Sequence, residues 1–170
     1  MTQFSENVIE SAQAILAKDI MTSEVLSVYE GWSIKRLADF FVKHKISGAP
    51  VIASDHSLIG VVSITDIVKF DSLSSDEKAK LMVENVYPEY LGQNVAQEVF
   101  NQLAVNADQN CTINSIMTRD VIKADGEAAL PEIAKLMDSN KIRRIFVTDE
   151  GKIAGVISTG NILRSLSELA

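Results

Sequence analysis

The sequence predicts an α+β fold, α/β-like in its units, in which one strand–helix–strand–strand–helix unit occurs twice. The first observation is an internal repeat: the IMT tripeptide at residues 20–22 recurs 96 positions later (116 minus 20), at residues 116–118. The second is a short apolar strand that turns directly into a helix, at residues 59–68 and again at residues 153–163. Because self-similarity at a fixed offset indicates a repeated structural unit, we expect two pseudo-symmetric domains.

Each element follows from a local pattern. Residues 5–17 place apolar side chains at helical spacing and predict a short amphipathic N-terminal helix. Residues 25–28 are a strand candidate, and the apolar residues of 34–41 follow the i, i+3, i+4, i+7 spacing of a helix with one buried face. Two apolar stretches, 50–52 and 58–64, flank a polar turn and predict a pair of strands. A helix follows them, and the second copy repeats this order.

The segment between the copies is too long and too apolar to be a simple linker. Residues 76–85 have a helical pattern with Ser75 as a candidate N-cap, and residues 94–107 carry apolar side chains along one face. We expect a helical insertion that covers one edge of the fold or contacts a second copy of the chain. The predicted domains are an N-terminal helix (1–17), a first domain (18–70), the insertion (71–114) and a second domain (115–170).

Composition and charge narrow the classes of function. The formal net charge is -7 and the pI about 4.8, which argues against a nucleic-acid binder that relies on a broad basic face. Cys111 is the only cysteine, so we expect no internal disulfide, no metal site and a cytoplasmic location. No apolar run approaches the roughly 20 residues that span a bilayer, so we expect no membrane insertion. No recognisable catalytic constellation stands out, so we expect that the protein is not an enzyme.

Polar groups gather where the last strand of the first copy turns into a helix. Ser63, Thr65 and Asp66 place two hydroxyls and a carboxylate beside the free N–H groups of a helix start, which suit an anion. The spacing Ser-x-x-Asp is also that of a capping box. From the residues alone both interpretations stay open: a cap that begins the helix, or a site that binds a ligand.

Laid side by side, the two copies resemble a tandem pair of CBS domains, the cystathionine-β-synthase-type regulatory modules also called a Bateman module. The resemblance rests on the DIMT and SIMT openings, the APVI and IFVT strands, and the paired endings GVVSITDIV and GVISTGNIL. It covers about residues 17–166, apart from the insertion. It implies two β-α-β-β-α domains packed through their sheets, a dimer, and two clefts that bind adenosine-containing ligands such as AMP, ADP, ATP, NAD or S-adenosylmethionine. Of these ligands we expect AMP, ADP or ATP.

The resemblance also implies which residues of the first copy contact the ligand. Asp66 would accept hydrogen bonds from the two ribose hydroxyls, because a carboxylate can accept from both at once. Ser63 and Thr65 would contact the phosphate or the ribose. Thr22 and Val25 would line the adenine end.

The second copy departs from the family pattern at an informative position. Asn161 stands where the acidic residue belongs, and an amide is a weaker, uncharged acceptor. Gly160 replaces the hydroxyl-bearing Thr65 of the first copy. We therefore expect two unequal clefts. The remaining candidates of the second copy are Thr118, Val121 and Ser158.

A basic pair distinguishes the second copy. Arg143 and Arg144 stand where the family often places a pair that grips phosphate, and a guanidinium can hold phosphate bidentately. Strand alternation sends them to opposite faces, so one would point into a cleft. In the alternative, both are exposed or pair with Asp149 and Glu150.

The predicted function is a stand-alone regulatory module that binds an adenine nucleotide, requires no cofactor, forms a homodimer and signals to an effector protein that the sequence does not identify. The alternative is a structural or protein-interaction module with degenerate, ligand-free clefts. The residues Asn161 and Gly160 favour this alternative for one cleft.

Overall fold

Two compact units make up the part of the chain that the computed structural model describes, residues 10–86 and 97–169. The first-repeat unit contains the described residues of 26–55 and 59–121. The second-repeat unit contains the described residues of 1–25, 56–58 and 122–170. In chain order, the described elements are α1 (residues 10–14), α2 (Ala17–Ile20), β1 (Val28–Tyr29), α3 (Ile34–His44), β2 (Gly48–Ile52), β3 (Leu58–Ser63), α4 (Ile64–Asp71), α5 (Ser75–Val86), α6 (Gln97–Asn110), α7 (Ile113–Ile116), β4 (Lys123–Asp125), α8 (Leu130–Ser139), β5 (Arg144–Asp149), β6 (Lys152–Ser158) and α9 (Thr159–Ser167).

Each repeat builds one three-stranded sheet, in the order β1-β2-β3 and β4-β5-β6. The first two strands of each sheet are parallel, so the chain crosses over through a helix, α3 or α8, before it returns. The last pair of the second sheet, β5 and β6, is antiparallel and has a register shift between Val147 and Thr148. The predicted α+β fold of two repeated units is therefore confirmed.

Apolar side chains of the strands and of the crossover helix form the core of each unit. In the first-repeat unit, Val28, Val51 and Val62 pack with Leu37 and Phe41 of α3. In the second-repeat unit the core likewise joins strand and α8 residues: Ala124, Ile133, Met137, Ile145, Val147 and Ile157. Burial of this apolar surface holds each helix on its sheet.

The two crossover helices end in the same way. Lys45 and Lys141, which are 96 positions apart (141 minus 45), both have left-handed backbone, with φ of 54° and 55°. The next residue then donates back into the helix, from Ile46 N to Phe41 O at 3.1 Å and from Ile142 N to Met137 O at 3.0 Å. This is the Schellman pattern, in which a left-handed residue stops the helix. The repeat thus extends to backbone conformation.

The opening segments of the two repeats are exchanged. Thr118 and Val61 exchange two backbone hydrogen bonds of 2.9 Å, so the second opening pairs with the sheet of the first repeat. Thr22 and Val156 exchange bonds of 2.9 and 3.0 Å, so the first opening pairs with the sheet of the second repeat. The domain boundaries drawn above describe the sequence repeat, whereas the structural units follow this exchanged packing.

The N-terminal prediction needs correction at one point. Residues 5–9 lie outside the described residues, and the described helix is interrupted at residues 15–16 instead of running to residue 17. The backbone there pairs with residues far along the chain, since Leu130 N donates to Ile15 O at 2.8 Å and Ala17 N donates to Ala128 O at 2.8 Å. Long-range hydrogen bonding therefore overrides the helical pattern.

Two further predictions shift by a few residues. The strand expected at residues 25–28 is β1, which covers Val28–Tyr29, because Val28 is the residue that pairs with Val51 in the sheet. The cap of α5 is Ser74 instead of Ser75. The N–H and the hydroxyl of Ser74 both donate to Glu77 Oε2 at 2.8 Å, and these bonds, the backbone one first, hold the pKa of Glu77 below its ordinary value.

Within the insertion, α5 and α6 pack against each other, and α5 also packs against α7. Residues 87–96, including Pro88, lie outside the described residues. Met82 of α5 and Cys111 share a buried cluster with Ile34 and Phe70 of the first repeat. The insertion is therefore part of the first-repeat unit. None of the described helices is both long and apolar enough to cross a membrane.

Each exchanged opening places a methionine against a strand glycine, which gives a test of the packing. A Cβ added at Gly60 would lie 2.7 Å from Met117 Sδ and 3.0 Å from Thr118 O, so there is no space for it. We expect Gly60→Ala to lower the free energy of unfolding by about 1–3 kcal/mol through overpacking, measured by urea denaturation. Gly31→Ala is the matched control, because a Cβ there meets nothing within 4 Å.

Trimming the partner should relieve part of this overpacking. We expect the double variant Gly60→Ala/Met117→Ala to be less destabilised than the sum of the two single variants, since the residues are in contact. Strictly additive losses, or an effect of Gly60→Ala no larger than that of Gly31→Ala, would contradict the exchanged packing.

Candidate functional site

The first strand–helix junction is closed by a capping box. Ser63 is extended, with φ of -133° and ψ of 169°, and α4 begins at the next residue. Its backbone N–H and its hydroxyl both donate to Asp66 Oδ2, each at 2.8 Å. In the described part of the chain, Asp66 Oδ1 accepts no hydrogen bond. The capping interpretation is therefore confirmed. It leaves the second carboxylate oxygen, Asp66 Oδ1, available to accept hydrogen bonds from a ligand.

The second junction repeats this geometry with an amide. Ser158 N donates to Asn161 Oδ1 at 2.9 Å, the Ser158 hydroxyl donates to the same oxygen at 2.6 Å, and Asn161 N donates to Ser158 Oγ at 3.3 Å. The Asn161 amide oxygen thus accepts the same two hydrogen bonds from serine that the Asp66 carboxylate accepts in the first copy. An amide has no second acceptor oxygen, so nothing equivalent to Asp66 Oδ1 remains.

Both junctions are also tied to the residue just before the first strand of the hairpin. Ile64 N donates to Ser47 O at 2.9 Å, and Thr159 N donates to Arg143 O at 3.1 Å. Thr65 and Gly160, the second residues of α4 and α9, are exposed. Each junction is therefore fixed both by its capping box and by a backbone hydrogen bond to the preceding part of the hairpin. The Thr65 side chain lies at the start of α4 and is exposed to solvent.

The exchange of openings changes the grouping of the candidate residues. Thr118 and Val121 belong to the same unit as Asp66, while Thr22 and Val25 belong to the unit of Asn161. The combination of Thr22 and Val25 with Asp66 therefore joins residues of different units, and it stays a prediction.

The two arginines lie beside the second junction. Arg144 begins β5 and is the register partner of Ser158, and the Arg143 carbonyl accepts from Thr159. Both side chains are exposed, and within the described residues neither forms an ion pair with Asp149 or Glu150. The second-repeat unit thus offers two cations near Asn161.

A cavity missed by sequence reasoning adjoins Asp66. It has a volume of about 200 Å³, and Lys69, Phe70 and Ser115 contribute to its lining. Part of its wall comes from the insertion, through Leu81 of α5. The sequence carries one signal of it, the placement of Lys69 three residues after Asp66 on the same helix. The described residues contain no group of three or more metal-ligating side chains.

Comparison with known proteins gives one family. A model of the CBS domain matches residues 17–72 and 113–168 of this chain. An uncharacterized protein of Methanocaldococcus jannaschii is 32% identical over 160 residues, which are 92% of this chain and 94% of the relative. The chloroplastic CBS domain-containing protein CBSX2 of Arabidopsis thaliana is 26% identical over 140 residues, which are 81% of this chain and 56% of the relative.

Solved structures share the fold. The crystal structure of CBSX2 in complex with AMP superposes with a TM-score of 0.64 at 23% identity, over 92% of this chain and 98% of that one. The CBS domain pair of protein MJ0100, in complex with 5′-methylthioadenosine and S-adenosyl-L-methionine, superposes with a TM-score of 0.58 at 23% identity, over 92% and 98% of the two chains.

The capping boxes predict a measurable loss of stability when they are opened. Asp66→Ala and Asn161→Ala should each lower the free energy of unfolding by about 0.5–2 kcal/mol, the usual effect of losing a cap. Asp66→Asn should lose less, because an amide oxygen can accept the same two bonds, as Asn161 does. Urea denaturation followed by circular dichroism measures these differences.

Thr65→Ala is the control for the capping test, since its exposed side chain takes no part in the bonds between Ser63 and Asp66. We expect it to change stability by less than about 0.5 kcal/mol. If Asp66→Ala proved as stable as Thr65→Ala, the carboxylate would not be closing the junction.

Proposed function

The chain belongs to the CBS domain family, and from this premise we propose that it is a regulatory module that binds an adenosine-containing ligand and signals its occupancy to a partner protein. The observation that carries the proposal is the duplicated strand–helix junction. In the first copy that junction leaves Asp66 Oδ1 without a partner among the described residues. In the second copy it is accompanied by two exposed arginines.

Asp66 is the residue to which we assign the ribose. One oxygen of its carboxylate is fixed by Ser63, so the side chain is already oriented before a ligand arrives. The other oxygen can accept from the ribose hydroxyls, and Thr65 can donate to the ligand at the start of α4. Thr118 and Val121, in the same unit, are assigned to this ligand.

We propose that the second copy favours phosphate over ribose. Asn161 brings no charge, whereas Arg143 and Arg144 supply two cations that the first junction lacks at Ser47 and Gly48. Ser158 is assigned to the phosphate or ribose, and Thr22 with Val25 to the adenine end. The two copies would then differ in nucleotide preference, with the more highly phosphorylated ligand at the second.

Two solved structures with the same fold support an adenosine-containing ligand. CBSX2 binds AMP, and the domain pair of MJ0100 binds two adenosine-containing molecules, while both share the fold of this chain. A ligand acts as a signal only if it binds two conformations with different affinity. We propose that occupancy of these sites biases the arrangement that the partner protein recognises.

The nucleotide prediction is tested by titration. We expect AMP, ADP or ATP to stabilise the protein in a thermal-shift assay, with roughly 2.7 kcal/mol added at about 100 times the Kd, and calorimetry to give the Kd. Asp66→Ala should weaken AMP binding about tenfold to hundredfold, the value of a hydrogen bond to a charged group. Asn161→Ala should have a smaller effect, since the amide is a neutral acceptor.

Two results would count against parts of this proposal. If no adenosine compound, including NADH and S-adenosylmethionine, shifts the unfolding temperature, the sensor function is wrong. The alternative of a ligand-free interaction module then stands. The residues Asn161 and Gly160 already favour that alternative for one copy. If ligand binds but Asp66→Ala has parental affinity, the ribose assignment alone is wrong. Arg143→Gln and Arg144→Gln should weaken ATP more than AMP.

We also propose that the chain forms a homodimer through the helices that follow the two junctions. Val68 of α4 is 60% exposed and Leu163 of α9 is 63% exposed, and these are equivalent positions of the repeat. Ile64 and Leu166 extend the same helices with exposed apolar side chains. Such apolar surface on two equivalent helices suits a partner surface, and a second copy supplies one by symmetry.

Light scattering tests the dimer. We expect twice the 18.6 kDa chain mass at micromolar concentration, and monomers for the double variant Val68→Glu/Leu163→Glu, because a charge buried without a partner is costly. The matched control is Val105→Glu, which places the same charge on an exposed valine of α6. A parental protein of monomer mass would rule out the homodimer.

A further inference from the structure

The cavity beside α4 shares Asp66 with the proposed nucleotide site, but its other lining residues give it a chemistry of its own. It is lined by α4, α5, α7 and residue 73, all within the first-repeat unit, and the contribution of α5 makes it depend on the insertion. Its volume is about 200 Å³. An apolar cavity of about 150 Å³ is enough to hold benzene, so this cavity has room for the side chain of a small metabolite.

Most of the lining is apolar. Phe70 and Leu73 come from α4 and the turn that follows it, Leu81 comes from α5, and Ile116 comes from α7. A ligand body that enters this space must therefore be apolar, because a polar body would lose its hydrogen bonds to water without replacement. An apolar side chain no larger than benzene, with roughly six heavy atoms at most, fits within this volume.

One buried polar atom has no partner within this lining. Ser115 is only 7% exposed, and its hydroxyl has no hydrogen-bond partner in the described residues. A buried hydroxyl left unpaired is destabilising, so such an atom at a cavity wall points to a ligand that supplies an acceptor. In an otherwise apolar space, a weak acceptor such as a thioether sulfur suits a hydroxyl donor.

Opposite charges stand together at the solvent side. Lys69 is exposed and makes no ion pair within the described chain, and Asp66 keeps Oδ1 unbonded there. The two residues are three positions apart on α4, so their Cβ atoms are about 5–6 Å apart on one face. A ligand that carries an ammonium and a carboxylate on the same carbon atom can contact Asp66 and Lys69 at once.

We propose that this cavity binds a small zwitterionic amino acid with an unbranched apolar side chain, of the size of methionine. The α-carboxylate pairs with Lys69, the α-ammonium pairs with Asp66, and the side chain fills the space among Phe70, Leu81 and Ile116. The Ser115 hydroxyl donates to the side-chain sulfur. The proposal goes beyond the nucleotide function and requires no adenosine ligand, but the α-ammonium uses the Asp66 oxygen that we assign to the ribose. An amino acid and a nucleotide would therefore compete for this residue.

The experiment is calorimetric titration of the full chain with a matched set of ligands. Methionine and norleucine differ only by sulfur in place of a methylene, hexanoate lacks the ammonium of norleucine, and norleucinamide lacks its carboxylate. We use each up to about 10 mM, where a Kd of about 1 mM is still detected. We expect methionine to bind about threefold more tightly than norleucine, and the last two compounds at least tenfold more weakly than norleucine.

Variants assign the contacts. Lys69→Gln should weaken methionine about tenfold, whereas Lys43→Gln, an equal loss of charge at an exposed lysine of α3, should leave the Kd unchanged. Ser115→Ala should remove the difference between methionine and norleucine. Thermal unfolding of each variant shows that it is folded, and AMP titration of the same samples reports on the nucleotide site separately.

Three outcomes would overturn the proposal. Absence of heat and of stabilisation with methionine and norleucine would mean that the cavity holds only water. Equal binding of norleucine, hexanoate and norleucinamide would exclude recognition of a zwitterion. Equal weakening by Lys69→Gln and Lys43→Gln would place the ligand elsewhere.

Discussion

The hydrogen bonds that close the two strand–helix junctions are the constraint on which the rest of the structure depends. Ser63 and Ser158 each end a strand and start a helix, and the side chain three residues later accepts two bonds from the serine. This fixes where α4 and α9 begin and, through the carbonyls of Ser47 and Arg143, ties them to the neighbouring strand. The candidate residues Ser63, Asp66, Ser158 and Asn161 are positioned by these caps.

The difference between the two junctions lies in the atoms left over after capping. A carboxylate caps with one oxygen and keeps the other, whereas an amide caps with its only oxygen. Asp66 can therefore combine a structural and a binding role, and Asn161 cannot do so in the same way. Duplication of the fold thus need not duplicate the chemistry, because the two capping side chains differ by one acceptor oxygen atom.

Much of the fold was predictable because it depends on local pattern and repetition. The 96-residue offset, the apolar spacing of α3 and α8, and the capping box of Ser63 and Asp66 are all read from neighbouring residues. The exchange of openings was not predictable, because the sequence does not state which sheet Thr22 or Thr118 joins. The cavity was missed for the same reason, since Ser115 and Leu81 meet α4 only through tertiary packing.

The exchanged openings also bear on how the chain folds during synthesis. The sheet of the first repeat lacks its edge contact until Thr118 has been made, about 57 residues after Val61 (118 minus 61). The first repeat thus leaves the ribosome before its own unit can be completed, and the N-terminal segment must wait still longer for Val156. Each repeat therefore needs the opening segment of the other repeat to complete the backbone pairing of its sheet.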